Sequence, residues 1–256
     1  MKIADQIITI AKEAGKEILR IYHETDFGDH IDYKSDNSPL TLADKASHEI
    51  IQKALEENFP DIPILSEEGR DMLFEERKSW KTFWLVDPLD GTKEFIKRNG
   101  EFTVNIALIH DGYPIFGLVY APELHTIYIG DTQSGEAYKI GEDGKRVGLK
   151  VNNRQTDRVA VRSRSHASEE EETLLNSYRV GDSIAVGSAL KFCMVAEGKA
   201  DIYYRHGPTM EWDTGAGQAV IEQAGGRLLR VPGEERFYYN KEDLRNGSFL
   251  VLGFED

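Results

Sequence analysis

Cysteine is nearly absent from this chain. Cys193 stands alone among 256 residues, which excludes an internal disulfide and suits a reducing compartment. It lies in the apolar run 190–196, so it reads as a small packed hydrophobe rather than a nucleophile. Proline is sparse as well, eight in all, and there is no repeat, low-complexity tract or flexible linker composition. No apolar run approaches the roughly 18 residues needed to span a bilayer. The opening residues Met1-Lys2-Ile3-Ala4-Asp5 place an acid too early for a signal peptide and begin no continuous apolar stretch. A cytoplasmic protein is expected. Cations are the minority charge, 31 basic against 45 acidic residues for a net −14. Binding a nucleic-acid polymer depends on neutralising phosphates with Lys and Arg, so that class of partner is disfavoured. A small phosphorylated substrate stays open, provided bound cations and local basic residues offset the acidity.

What is present suffices for a core: 40% of the residues are hydrophobic, and the length fits one large domain or two small lobes. Ile3, Ile7, Ile10, Ala14, Ile18 and Ile21 recur at spacings of three or four, which predicts an amphipathic helix over the first 22 residues. A polar, turn-rich stretch at 23–40 precedes a second helix over 41–58, with Thr41 placed as N-cap and Asp44 at the third helical position. Strands are expected at 62–66 and 83–86, separated by a charged loop at 70–81. A hairpin over 104–120 turns at His110-Asp111-Gly112-Tyr113-Pro114. Further strands are expected at 126–129, 136–140, 159–162, 202–204, 227–231 and 249–252. Helices are expected at 168–177, 188–197 and 214–224, the last stopped by Gly225-Gly226. Such a succession predicts helices covering sheets in a layered α/β (α+β) sandwich, with a lobe boundary near 178–186.

The most informative segment is Trp84-Leu85-Val86-Asp87-Pro88-Leu89-Asp90-Gly91-Thr92-Lys93-Glu94-Phe95. An apolar strand is expected to stop at two aspartates, where proline and glycine specify a tight turn. That turn would fold both carboxylates toward one point with the Leu89 carbonyl between them, an oxygen set suited to a hard divalent cation such as Mg2+. A solvated acidic turn is the competing reading. Glu67, in the pair Glu67-Glu68, ends the preceding strand just as Asp87 ends its own, and ligands collect outside strand carboxyl ends; alone, such a pair is a solvated loop. Asp213 follows Trp212 and opens a helix, where it serves either as a cap or beside a phosphate held by free N–H groups. Asp44 is either a helix-start acid or a proton acceptor. Together these acids make a two-metal cage plausible, with a hydroxyl at Thr92 able to relay a proton to Asp44.

Taken together, Glu67-Glu68, Asp87 to Thr92 and Trp212-Asp213 resemble the magnesium-dependent, lithium-sensitive phosphatase superfamily that contains inositol monophosphatases and fructose-1,6-bisphosphatases. The resemblance runs along essentially all of residues 1–256 and implies one domain of that layered fold, with a metal-binding lobe to about 180 and a second lobe over 181–256 completing the site. Within the superfamily the chain is similar to the bacterial 3′(2′),5′-bisphosphate nucleotidases of the CysQ type. The residues carrying this are Lys93-Glu94-Phe95, the run Ile96 to Asn105, Ser163-Arg164-Ser165-His166, Leu190-Lys191-Phe192-Cys193 and Gly207-Pro208-Thr209. The resemblance implies removal of the 3′-phosphate from adenosine 3′,5′-bisphosphate and from its sulfated form, a link to sulfur metabolism, by water activated at two or three Mg2+ ions inhibited by Li+. It further implies metal ligation by Glu67, Asp87, Asp90, Asp213 and the Leu89 carbonyl. Thr92 and Asp44, with Glu67, would serve catalysis. Thr92, Ser163, His166, Ser188, Lys191, Arg205 and Asp213 would contact substrate. The alternatives are an inositol or sugar phosphatase using the same metal site, and a regulatory binding protein. Two departures from relatives stand out: Ala189 replaces a frequent second serine, and Met210-Glu211 precedes Trp212, which unsettles any account of base recognition. Oligomeric state is not set by these features.

Overall fold

The computed structural model of the chain describes residues 3–23, 31–33, 39–162 and 169–255. The expected N-terminal helix is α1 (Ile3–Tyr22), and its isoleucine stripe is buried, with Ile7 and Ile18 fully so. Each such side chain contributes roughly 1.5–3 kcal/mol by leaving water. Strands β1 (Ile31–Tyr33) and β2 (Pro39–Thr41) pair antiparallel. Helix α2 (Leu42–Asn58) begins directly after Thr41, whose side chain lies outside what is described.

Next come β3 (Ile64–Ser66), the single-turn helix α3 (Phe74–Arg77), β4 (Thr82–Asp90), the short helix α4 (Thr92–Ile96), β5 (Thr103–His110), β6 (Tyr113–Ala121), β7 (Thr126–Asp131), β8 (Glu136–Ile140) and β9 (Arg146–Gly148). These seven strands form one sheet in sequence order. Alternation along β4 assigns its two faces: Trp84 and Val86 join the apolar layer with α1 and α2, while Phe83 and Leu85 face the other way. The second half contains β10 (Arg158–Arg162), α5 (Glu169–Ser177), β11 (Val180–Ala185), α6 (Leu190–Ala196), β12 (Ile202–Arg205), β13 (Thr209–Met210), α7 (Gly215–Gln223), β14 (Arg227–Arg230), β15 (Arg245–Asn246) and β16 (Phe249–Leu252). A five-stranded sheet runs in the order β11-β10-β12-β16-β14. Its inner residues Val161, Tyr203 and Val251 share one core with α6, α7 and the larger sheet, and its outer residues Ile202, Tyr204 and Leu250 pack with Leu175 of α5. The layers are therefore helices, seven-stranded sheet, helices, five-stranded sheet, helix, which is the layered sandwich expected from the sequence.

Helix α7 lies against the larger sheet at glycines. A Cβ on Gly130 would stand 2.2 Å from the Ala219 carbonyl oxygen, and one on Gly117 would stand 2.5 Å from that of Ala216. Only glycine permits so close an approach of helix to strand. Three expectations are corrected. The charged stretch 70–81 contains the turn of helix α3, tied down through the buried Arg77. Residues 180–185 form strand β11, paired in parallel with β10, so the strands change sheet in the connection 149–157 rather than near 180. Finally, β4 does not stop at Asp87. It continues to Asp90, and the pairing Asp87↔Asn105 followed by Asp90↔Thr103 leaves one extra residue on β4. The Asp-Pro-Leu-Asp segment is thus a bulge, the one interior strand position where proline's missing N–H costs no ladder bond. Among the described residues, no helix is long and apolar enough to cross a membrane.

Candidate metal centre and adjoining pocket

Register brings the first two acids together. β3 pairs in parallel with β4, Ser66 opposite Val86, and the Glu67 amide donates to the Val86 carbonyl at 3.1 Å. Glu67, one residue past the end of β3, and Asp87, still within β4 where the bulge begins, therefore stand side by side at one level. The third acid arrives from the second half. Asp213 ends a 3-10 turn, Glu211–Asp213, that leads into α7, and its Oδ2 accepts the Met210 amide at 2.8 Å. One carboxylate oxygen from each of Glu67, Asp87 and Asp213 lies within 4.8 Å of the others.

Asp90 stands outside that three-way cluster and beside it. Its Oδ2 faces Asn105 Nδ2 at 3.5 Å. Burial pushes the Asp87 carboxyl well above its usual range, and the charges of Glu67, Asp90, Asp213 and Asp44 add to that effect. Loss of hydration raises Asp90 to about 6, against the pull of Lys191. Burial and then the Asp90 charge raise Asp213 to about 8. Carboxyls held this close resist ionising without a counter-charge. An all-oxygen donor set with excess negative charge fits a hard divalent cation such as Mg2+, and the residues present pass that test.

The remaining expected residues take these places. Asp44 is buried in the first turn of α2. Leu89 is buried at the bulge, and its amide donates to Asp87 Oδ1 at 3.1 Å. Thr92 is the first residue of α4, just after Gly91 at φ 92°. A cavity of about 150 Å³ opens beside the acids, its wall including Asp90, Asp213, Ser188, Lys191 and Arg205; Thr92 and Asp44 are not part of that wall. Ser188 precedes α6 in a left-handed conformation, φ 45°. The buried Lys191 donates from Nζ to the Ser188 carbonyl at 2.7 Å, and desolvation lowers its pKa while Asp90 opposes that shift. Ser163 and His166 lie outside the described residues. Ala189 is buried in the apolar core. Glu211 is fully buried and its carboxylate accepts the backbone amides of Asn240 and Lys241.

Residues given no site role from the sequence include Ser47, and also Glu94, Thr103 and Asn105, which entered only as part of the resemblance. Thr103 and Asn105 are buried polar positions on β5; Thr103 Oγ1 donates to Asn105 Oδ1 at 3.0 Å and to Ser188 Oγ at 3.3 Å. Two polar residues of one face in an otherwise apolar strand were the available signal. Glu94 lines the cavity among Lys93, Lys191 and Arg205.

Comparison with known proteins agrees with this arrangement. The profile of the inositol monophosphatase family matches residues 2–250. The chain is 46% identical over 247 residues to the 3′(2′),5′-bisphosphate nucleotidase CysQ of Escherichia coli O6:H1, covering 96% of this chain and 98% of that protein. It is 42% identical over 253 residues to the nucleotidase of the same name from Buchnera aphidicola, covering 99% and 92%. The crystal structure of CysQ from Bacteroides thetaiotaomicron superposes with a TM-score of 0.86 at 41% identity, over 99% of this chain and 97% of that one. An IMPase of Thermotoga maritima shares the fold at TM-score 0.78 and 21% identity, over 99% of this chain and 92% of that one. With the layered sandwich, the converging acids at two strand ends and a helix start, and a match along nearly the whole length, the chain belongs to the inositol monophosphatase family.

Proposed function

We propose that the chain is a Mg2+-dependent 3′(2′),5′-bisphosphate nucleotidase that converts adenosine 3′,5′-bisphosphate to AMP and phosphate, and 3′-phosphoadenylyl sulfate to adenylyl sulfate. The observation that carries this is the meeting of Glu67, Asp87 and Asp213 within 4.8 Å beside a pocket walled by Lys191 and Arg205. Relatives at 42–46% identity named as such nucleotidases support the substrate class.

In this reading Glu67, Asp87, Asp90, Asp213 and the Leu89 carbonyl hold two or three Mg2+ ions, with Li+ as an inhibitor. Bound there, Mg2+ supplies Lewis-acid polarisation of the phosphoryl oxygens and eases deprotonation of water. Asp44, through Thr92, takes the proton from the water that attacks phosphorus. The P–O3′ bond breaks, and the released 3′ oxygen takes a proton from solvent. Lys191 and Arg205 hold the anionic remainder of the nucleotide, with Ser188, Ser163 and His166 as further contacts and Thr92 and Asp213 at the phosphate end. The protein acts as one catalytic unit over residues 1–256, its sheets meeting at the site. We place it in the cytoplasm, in sulfur metabolism, acting on a small nucleotide and not on a nucleic-acid polymer. Complete retention of the acids argues against a purely regulatory binding role.

Phosphate release should be measured side by side on adenosine 3′,5′-bisphosphate, its sulfated form, inositol 1-phosphate and fructose 1,6-bisphosphate, with Mg2+ titrated and Li+ added. The nucleotides should be preferred, and Asp90→Asn should abolish turnover in a folded protein. Preference for inositol 1-phosphate or the sugar would overturn the substrate assignment. Undiminished turnover by Asp90→Asn would overturn the site.

A further inference from the structure

The turn that carries Asp213 is held from behind by a segment far from it in sequence. Glu211, two residues before Asp213, is fully buried. Its Oε1 accepts Lys241 Nζ at 2.6 Å and the Lys241 amide at 2.9 Å, and its Oε2 accepts the Asn240 amide at 2.7 Å. Lys241 Nζ also donates to Asn246 Oδ1 at 3.1 Å. The Asn246 amide group donates in turn to the Met210 carbonyl at 2.6 Å and to Thr214 Oγ1 at 3.2 Å. Both ends of the Glu211–Asp213 turn are therefore tied to residues 240–246. That segment is itself anchored to the larger sheet's side of the molecule: the buried Arg77 donates to Asn240 Oδ1 at 2.8 Å and to the carbonyls of Lys241 and Glu242 at 2.6 and 2.9 Å.

We infer that the buried Glu211–Lys241 pair is a positioning device for the metal centre, setting where Asp213 presents its carboxylate to Glu67 and Asp87. The inference rests on the proposed metal-binding reading of that cluster. The turn has few restraints of its own: Asp213 Oδ2 takes the Met210 amide, and the Thr214 amide and hydroxyl return to the Glu211 carbonyl at 3.1 and 3.0 Å. Its location relative to the other half of the site is set by Glu211 accepting three donors of the 240–241 segment, together with the Glu211 amide donating to the Leu244 carbonyl at 3.0 Å and the pairing of Thr209 and Met210 with Asn246 and Arg245. A buried ion pair of this kind adds little net stability over apolar packing, because desolvating both charges offsets their attraction. What it adds is a fixed geometry, since only one placement satisfies all three donors of one carboxylate at once. Partners that orient a ligand in this way commonly govern metal affinity.

The test compares Glu211→Gln and Lys241→Met with wild type for Mg2+ affinity, read by calorimetry and by the Mg2+-dependent rise in melting temperature of the full-length protein. Glu211→Gln keeps the shape but turns one acceptor into a donor facing an N–H and removes the counter-charge of Lys241; should either single variant not fold, the double variant Glu211→Gln/Lys241→Met, which removes both charges, takes its place. Lys139→Met serves as control: it breaks a part-buried pair, in which Glu197 accepts Lys139 Nζ at 2.7 Å beside Lys199 and Tyr128, with no bond to the Asp213 turn. Either test variant should weaken Mg2+ binding by about tenfold, with KM for the nucleotide at saturating Mg2+ changed less than twofold. The control should lose melting temperature without losing Mg2+ affinity. Wild-type Mg2+ affinity in both test variants, or an equal loss in the control, would overturn the inference. Wild-type protein that binds no Mg2+ would instead overturn the metal reading beneath it.

Discussion

Ser47 donates its hydroxyl to the Pro88 carbonyl at 2.8 Å, in a fully buried contact between the first turns of α2 and the bulge that carries Asp87 and Asp90. At the next residue, His48 Nδ1 meets Ser66 Oγ at 3.0 Å, directly before Glu67. Helix α2 thus delivers Asp44 and braces both acidic segments through two consecutive residues. Replacing Ser47 by Ala removes a donor from a buried carbonyl, which costs about 1–3 kcal/mol. Urea unfolding should show that loss, and calorimetry should show weaker Mg2+ binding. An unaltered midpoint would mean that the bulge holds its shape without α2.

Asp213→Asn is expected to separate stability from function. The Asp213 charge opposes ionisation of Asp87, and Asp90 and Glu67 oppose that of Asp213 itself, so removing the Asp213 charge relieves repulsion in the metal-free protein. The variant should melt at a higher temperature than wild type without Mg2+, and should show little further rise when Mg2+ is added. A lower melting temperature than metal-free wild type would show that the Asp213 charge is not a source of strain.

The sign of the pH effect follows from the raised values. Asp213 moves from an ordinary 3.8 to about 8 and Asp90 to about 6 in the folded protein. The folded state therefore holds protons that the unfolded state has released. The stability these groups confer is complete below pH 3.8 and is lost as pH rises through about 6 and about 8. The advantage of metal-free Asp213→Asn over wild type should accordingly widen from about pH 4 to about pH 8 and then level off. Mg2+ binding should release protons and tighten over the same range. Calorimetry in buffers of different ionisation enthalpy reads that release directly; a count of zero at pH 6.5 would contradict the raised values.

Much of this was legible because it is local. Isoleucines three and four apart specify α1, and apolar runs on either side of the turn residues 110–114 specify β5, β6 and their hairpin. Glu67 and Asp87 pointed to a common site because β3 and β4 run parallel and in register, although only β3 ends there. The strand running on through Pro88 was hidden, since proline and glycine in sequence signal a turn and only the β5 partner shows a bulge. The helix α4 and strand β11 were hidden for a related reason: each is short and set by its partners rather than by its own periodicity. The Arg77–Asn240 contact joins residues 163 apart, a relation no window of sequence reveals. Glu211 reads in the sequence only as part of a departure from some relatives; its role as a buried acceptor for residues 240–241 depends on a segment about 30 residues away.

Cys193 tests the reading of a lone cysteine. Its side chain is fully buried in the core shared by α6 and both sheets, and burial pushes its thiol well above the usual range. The thiolate is the reactive form, so an aromatic disulfide reagent should leave the native protein unlabelled and label one thiol per chain in denaturant. Rapid labelling of the native protein would require an opening of α6 that the packing does not allow.

Gly187 fixes the rim of the pocket, and its replacement should act on substrate rather than on metal. A Cβ there would stand 2.6 Å from Glu94 Cγ and 2.9 Å from the Glu101 carbonyl oxygen. The Gly187 amide also donates to Glu101 Oε2 at 2.8 Å, so the backbone has no free direction in which to retreat. Gly187→Ala must therefore displace Glu94, or shift the segment that carries Ser188 into α6, at a packing cost of about 1–3 kcal/mol. Ser188 and Lys191 lie on that segment, whereas Glu67 and Asp87 lie on strands it does not touch through this contact. KM for the nucleotide should rise severalfold while Mg2+ affinity stays at the wild-type value. Equal losses in both would show that the pocket rim and the metal centre move as one body, and that α6 is part of the metal-binding frame.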